Sequence, residues 1–232
     1  MPSELTIIEA PRAGRGFVVV IPGGGYVGLS PSEAVPVCEW LAGAGIPCGW
    51  LAYPVDPAGH PAPLEIVLRN VAELRGEVTG PLAVLGFSAG GHLASLAATA
   101  TATELTTLVP GSERARPDLV GLGYPVSTLD RPRFERMRTS IVGDQAAGTL
   151  AIVPRVTSDT PPTFVWHTAE DPSVPAADSV ELVAALLDAG VPTEFHLYPF
   201  GGHGLSVTRL DEVPRVGEWP AAFLNWLSVN DV

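Results

Sequence analysis

Seven short apolar runs punctuate the chain: LTIIEA, GFVVVIP, PCGWLAYP, PLAVLGF, LVGLGYP, PTFVWHT and TEFHLYP. They are rich in β-branched and aromatic residues, and most are apolar at successive positions instead of alternating with polar ones. This pattern predicts strands covered on both faces, as in a parallel sheet. The segments between them follow the helical period. Residues 63–77 place Leu64, Val67, Leu68, Val71 and Leu74 on one stripe. Residues 31–44 open on SPSE, which puts Glu33 where a carboxylate suits a helix N-terminus. Residues 89–102 are alanine-rich, residues 176–189 stop at Gly190, and a last helix over about 214–229 buries Val216, Trp219, Phe223, Trp226 and Leu227. Strands alternating with helices predict an α/β fold, with a mostly parallel central sheet and helices on both faces.

The 232 residues are enough for one well-buried domain spanning 1–232, and no repeat or low-complexity tract divides them. Apolar residues make up 46% of the chain and charged ones 16%, a balance that argues for a compact globule. The least regular part is 127–161, where basic RPRFERMR is followed by TSDTPP; it is expected to be an irregular excursion capping a cleft. A net charge of −12 argues against nucleic acid or an anionic membrane as partner, because both are polyanions. Cys38 and Cys48 are too few for a disulfide framework or a zinc site and read as reduced, buried thiols. The N-terminus lacks a basic stretch followed by an apolar one, and no run approaches the roughly 20 apolar residues that span a bilayer. A cytoplasmic location is the expectation.

The chemistry concentrates in PLAVLGFSAGGHLASLA, residues 81–97. Gly86-Phe87-Ser88-Ala89-Gly90 fits G-x-S-x-G, placed between an apolar strand and an alanine-rich helix. A nucleophile on so tight a turn has a strained backbone, and the residues two before and two after it must be nearly free of side chain. The turn lifts a hydroxyl above the sheet edge. The competing reading is a packing turn whose serine merely caps the helix.

A serine hydroxyl is a poor nucleophile until a base takes its proton and a carboxylate orients that base. Of the five histidines, His203 stands out in YPFGGHGLSV, directly after the last strand and flanked by glycines. His92 follows the serine turn on the helix, His60 sits in a proline-rich loop, and His167 and His196 belong to strands where a hydrogen-bonded core histidine is usual. The acid is expected after the strand PTFVWHT. Asp171 opens a D-x-x-V-P turn there, with Glu170 beside it and Asp130, after the preceding strand, as rivals. Acyl transfer also needs amide donors for an oxyanion. Gly23, Gly24 and Gly25 follow the second strand like the glycine loop of lipases and esterases, and Gly24 with Ala89 is the expected donor pair. A phosphate loop is disfavoured because G-K-[ST] is missing.

Together, IPGGGYVGLSPSE, LAYPVD, HPAPLEIVLRNVAELR, LGFSAGGHLAS, VTSDTPPTFVWHTAEDPSVP and GVPTEFHLYPFGGHGLSV resemble the α/β-hydrolase family of small acetyl esterases. That group is related to acetyl xylan and feruloyl esterases and is sometimes labelled xylan-degrading. The resemblance covers most of the chain. It implies an α/β-hydrolase fold, with Ser88 as nucleophile, Asp171 as acid, His203 as base and the triple glycine as oxyanion loop. Pro54 stands where the family commonly has an arginine, AED replaces ADD, and 127–158 matches only weakly. Tyr26 and Leu205 are expected to border an acyl pocket and, by closing it, to favour short acyl groups such as acetyl. No metal or organic cofactor is implied. The expected partner is a small ester, for instance of an acetylated oligosaccharide, and self-association is left open. An amide-cleaving hydrolase, such as a formamidase or small peptidase, is the second expectation, and a non-enzymatic binding module the third.

Overall fold

A computed structural model describes residues 4–10, 15–112, 114–142, 150–209, 211, 213 and 215–232. Seven strands form one sheet: β1 (Leu5–Glu9), β2 (Phe17–Ile21), β3 (Cys48–Leu51), β4 (Leu82–Phe87), β5 (Leu119–Gly123), β6 (Thr163–Thr168) and β7 (Thr193–Tyr198). Their spatial order is β1-β3-β2-β4-β5-β6-β7. β1 runs antiparallel to β3, and every other neighbouring pair is parallel. The order of elements predicted an α/β fold with a mostly parallel sheet, and this arrangement is the α/β-hydrolase fold that the resemblance implies.

The continuous apolar runs are explained by which way successive residues point. Phe17, Val19 and Ile21 of β2 enter one core, with Leu64, Val67 and Leu68 of helix α2 (Ala62–Leu74) and Leu93 and Leu96 of α3 (Ala89–Ala98). Val18 and Val20 enter the other, with Val37, Cys38 and Leu41 of α1 (Val35–Gly43) and Phe223 and Leu227 of α7 (Trp219–Val229). Both faces of the strand are therefore buried, which removes the polar alternation of a one-sided sheet. Leu182 and Leu186 of α6 (Ala176–Asp188) join the first core, and Gly190 ends that segment with φ +76°. Among the described residues no helix is long and apolar enough to cross a membrane. Cys38 and Cys48 are free and buried.

Some boundaries differ from expectation. The alanine-rich helix ends at Ala98, and a separate α4 (Ala102–Leu108) follows, its start closed by a reciprocal capping box between Thr101 and Glu104. Within the excursion, a 3-10 turn at Pro132–Phe134 leads into α5 (Glu135–Val142), and another lies at Val153–Arg155. Residues 143–149 of the excursion lie outside the described residues. Glu33 is not a solvent-facing helix-start carboxylate: it is only 2% exposed and points inward.

β2 and β4 are adjacent, but the chain leaves them in opposite directions across the sheet. The crevice beyond their carboxyl ends is where a doubly wound sheet leaves room for a ligand.

Candidate active site

Ser88 follows β4 with φ +52° and ψ −118°, a conformation that costs a non-glycine residue of order 1–3 kcal/mol. Its surroundings hold it there. The Ser88 N–H donates to the Gly123 carbonyl at 2.9 Å, and its own carbonyl accepts from His92 and Val126 at 3.1 and 3.2 Å. The flanking glycines are sterically required. A Cβ on Gly86 would lie 2.3 Å from the Gly90 carbonyl oxygen, and one on Gly90 would lie 2.1 Å from that of Ile21. The G-x-S-x-G spacing is thus the imprint of a helix start pressed against two strands.

His203 lies beyond β7. Its Nε2 is 2.9 Å from Ser88 Oγ, and its Nδ1 is 2.7 Å from Asp171 Oδ2. With the proton on Nδ1, the ring donates to the carboxylate and accepts from the hydroxyl. Asp171 ends a turn after β6 whose other oxygen accepts the backbone N–H groups of Ser173 and Val174 at 2.8 and 2.9 Å. Burial alone would raise this carboxyl. Hydrogen bonds from His167 and His203, the nearby His203 charge and the Val174 amide outweigh burial and hold it well below the usual carboxylate range. The rivals do not enter the site: Glu170 and Asp130 are both exposed. His167, read from sequence as a core histidine, is buried and bonds Ser179 Oγ, but it also lies 3.3 Å from Asp171 Oδ2. A second imidazole steadying the acid was not foreseen.

The three loop glycines are not equivalent. The Gly23 amide is already spent on Glu33 Oε2 at 2.7 Å, which removes it from the expected oxyanion donors. Gly24, with φ +120°, could not carry a side chain, because a Cβ would meet the Gly28 carbonyl oxygen at 2.2 Å. Among the described residues the amides of Gly24 and Ala89 donate to no protein group. Gly24 and Gly25 line the cleft, and Ala89 opens α3 beside the serine, at a helix end whose first N–H groups have no helical partner.

Sequence reasoning missed Glu33. Its second oxygen accepts from Tyr124 Oη at 2.7 Å; Tyr124 in turn accepts the Ser206 N–H at 3.2 Å, and its ring stands edge-on to His203 with centroids 4.8 Å apart. One buried carboxyl thereby ties the glycine loop to the loop that carries His203. Burial raises its pKa above the ordinary value, against the pull of the Tyr124 and Gly23 hydrogen bonds and the His203 charge.

Two expected pocket residues fall elsewhere. Tyr26 has φ +57°, which turns its side chain back into the core, where it is fully buried and bonds His92 Nδ1 at 2.9 Å. Leu205 is 1% exposed and packs in the core with Trp166 and Trp219. The cleft of about 700 Å³ over Ser88 and His203 takes its apolar lining instead from Val27, Val126, Phe134, Met137 and Val174. Its size suits a small organic ligand.

Residues 79–228, from just before β4 into the last helix, match the prolyl oligopeptidase family. The chain belongs to that family. The chain is similar to an acetyl ester-xyloside bifunctional hydrolase from Caldicellulosiruptor lactoaceticus: 36% identity, a TM-score of 0.87, and coverage of 97% of this chain and 87% of that one. It is also similar to a carboxylesterase from Lactobacillus plantarum, at 26% identity, TM-score 0.83 and coverage of 97% and 91%. An acetylxylan esterase of Xylanibacter ruminicola is 26% identical over 81% of this chain and 40% of its own length. The chain spans 35%, 40% and 56% of the three curated relatives it matches. The family match and the esterase neighbours agree with the resemblance drawn from the motifs, and the chain has the α/β-hydrolase fold.

Proposed function

We propose that the protein is a serine carboxylesterase hydrolysing short-chain, acetyl-type esters, among them those of acetylated sugars or xylan fragments. One observation carries this reading: a single imidazole within hydrogen-bond reach of both the Ser88 hydroxyl and the Asp171 carboxylate, at the floor of an open cleft. The acyl-ester relatives support the reaction class.

In the first step Ser88 Oγ attacks the ester carbonyl while its proton passes to His203 Nε2. Asp171 accepts the Nδ1–H bond throughout and offsets the imidazolium charge without taking the proton. The oxyanion lies between the amides of Gly24 and Ala89. These donors are fixed in place before the charge develops, and losing one such donor costs about 3–4 kcal/mol of transition-state stabilisation. His203 returns its proton to the leaving alcohol as the C–O bond breaks, giving an acyl-Ser88. Water then takes the place of the hydroxyl, loses a proton to His203 and releases the acid, and the proton goes back to Ser88.

A second reading keeps the same residues but cleaves an amide, and the prolyl oligopeptidase match is what favours it. A panel of p-nitrophenyl acetate, acetylated xylo-oligosaccharide and formyl-amide substrates on wild type and Ser88→Ala separates the two. Turnover of the esters, lost in the variant, is the expected result. Preferential amide turnover would select the second reading, and no turnover of any member would reject both.

A further inference from the structure

The chain is strongly acidic, yet four of its thirteen basic residues fall between positions 131 and 138. They sit on the 3-10 turn and α5 of the excursion, which form one wall of the cleft. Arg131 is taken up by the buried carboxylate of Asp178. Arg133 and Arg136 line the cleft directly, together with Phe134 and Met137. Arg133 spends one N–H on the Pro172 carbonyl at 3.2 Å, and neither it nor Arg136 has a carboxylate partner among the described residues.

The acidic groups that face this wall are already engaged. Asp171 is bonded to His203, His167 and two backbone amides. Glu33 also lines the cleft, but its two oxygens already accept from the Gly23 amide and the Tyr124 hydroxyl. Glu135 lies on the same helix turn and is exposed, but it does not line the cleft. What remains facing the ligand is a largely apolar lining with two guanidinium groups along one side that have no carboxylate partner among the described residues. Guanidinium is the side chain best shaped to hold a carboxylate, through paired N–H donors.

We propose that the cleft selects esters carrying a carboxylate a few bonds from the scissile carbonyl, held by Arg133 and Arg136. This assignment rests on the esterase reading above and adds the substrate's charge to it. The carboxylate can belong to the acyl group or to the alcohol, and the two cases are separable. For the acyl side, mono-p-nitrophenyl glutarate is compared with p-nitrophenyl pentanoate. For the alcohol side, p-acetoxybenzoate is compared with p-acetoxybenzamide.

In at least one pair the anionic ester is expected to have the higher kcat/KM, by about tenfold, as for one well-placed charged hydrogen-bonding pair. The double variant R133Q/R136Q is expected to bring that ratio close to one. Arg138→Gln, on the same helix but outside the cleft, is expected to keep the wild-type ratio. Raising salt from about 0.05 M to about 0.5 M should shrink the ratio in the wild-type protein too, because screening weakens an exposed pair; this arm does not depend on the variants folding. Turnover of the neutral esters with no anionic preference in either pair would overturn the proposal alone. A preference that survives both R133Q/R136Q and high salt would overturn it as well. No turnover of any ester, with Ser88 inert to a fluorophosphonate, would overturn the esterase reading and the preference with it.

Discussion

Glu33 and Tyr124 stand 91 positions apart in sequence, yet the tyrosine hydroxyl donates to the carboxylate across 2.7 Å at the buried base of the cleft over Ser88. Through that contact the glycine loop after β2, the end of β5 and the His203 loop become one unit. Because burial raises the Glu33 pKa above its ordinary 4.5, the folded protein holds this proton more tightly than the unfolded chain does. Stability therefore falls as pH rises from the ordinary value through the raised one. Glu33→Gln has no such titration. The stability of wild type relative to Glu33→Gln is expected to decline with rising pH over that window, measured by denaturant unfolding at a series of pH values. Parallel curves would refute the assignment.

Asp171 has the opposite sign. Its pKa lies below the ordinary 3.8, so its contribution is fully present above that value and is lost as pH falls from there toward the lowered one. Asp171→Asn also leaves His203 without a partner for the tautomer that Ser88 requires. A kcat loss of about 10⁴-fold is expected, with KM for p-nitrophenyl acetate little changed. A loss below tenfold would mean that another group orients the imidazole.

Steric demand separates the glycines. Gly90→Ala would drive a methyl group into the β2 backbone and is expected to cost about 3 kcal/mol or more in chemical denaturation. Gly28→Ala meets nothing within 4 Å and is expected to stay within about 0.5 kcal/mol of wild type. Equal effects at the two sites would contradict the packing described for the elbow.

Tyr26 tests the correction to the pocket. If its hydroxyl serves His92 and not the ligand, Tyr26→Phe should lower stability by about 1–3 kcal/mol, from an unpaired buried group. The KM for p-nitrophenyl acetate should be unmoved. A raised KM at unchanged stability would return Tyr26 to the pocket wall.

What could be read from the sequence was what local sterics impose. The apolar runs gave the strands because burial on both faces is written into each of them. Gly86 and Gly90 marked the turn because no side chain fits beside Ser88. His203 and Asp171 stood out because each follows a strand on the same side of the sheet. The Glu33–Tyr124 contact left no local trace: its partners come from different loops, and SPSE reads equally well as an ordinary helix start. Tyr26 and Leu205 were misplaced because adjacency to a motif does not say which way a side chain turns. At Tyr26 a positive φ reverses the direction. In 127–161 alternation and helical period are both weak, so the basic run was visible but α5, and which of its arginines line the cleft, emerged only from the three-dimensional arrangement.

The most direct test of the central claim is covalent labelling by a fluorophosphonate, with the modified residue located by peptide mass spectrometry. The expected result is one label per chain on Ser88, abolished in His203→Ala. An unlabelled Ser88, or full ester turnover by Ser88→Ala, would contradict the convergence of hydroxyl, imidazole and carboxylate on which the mechanism is built.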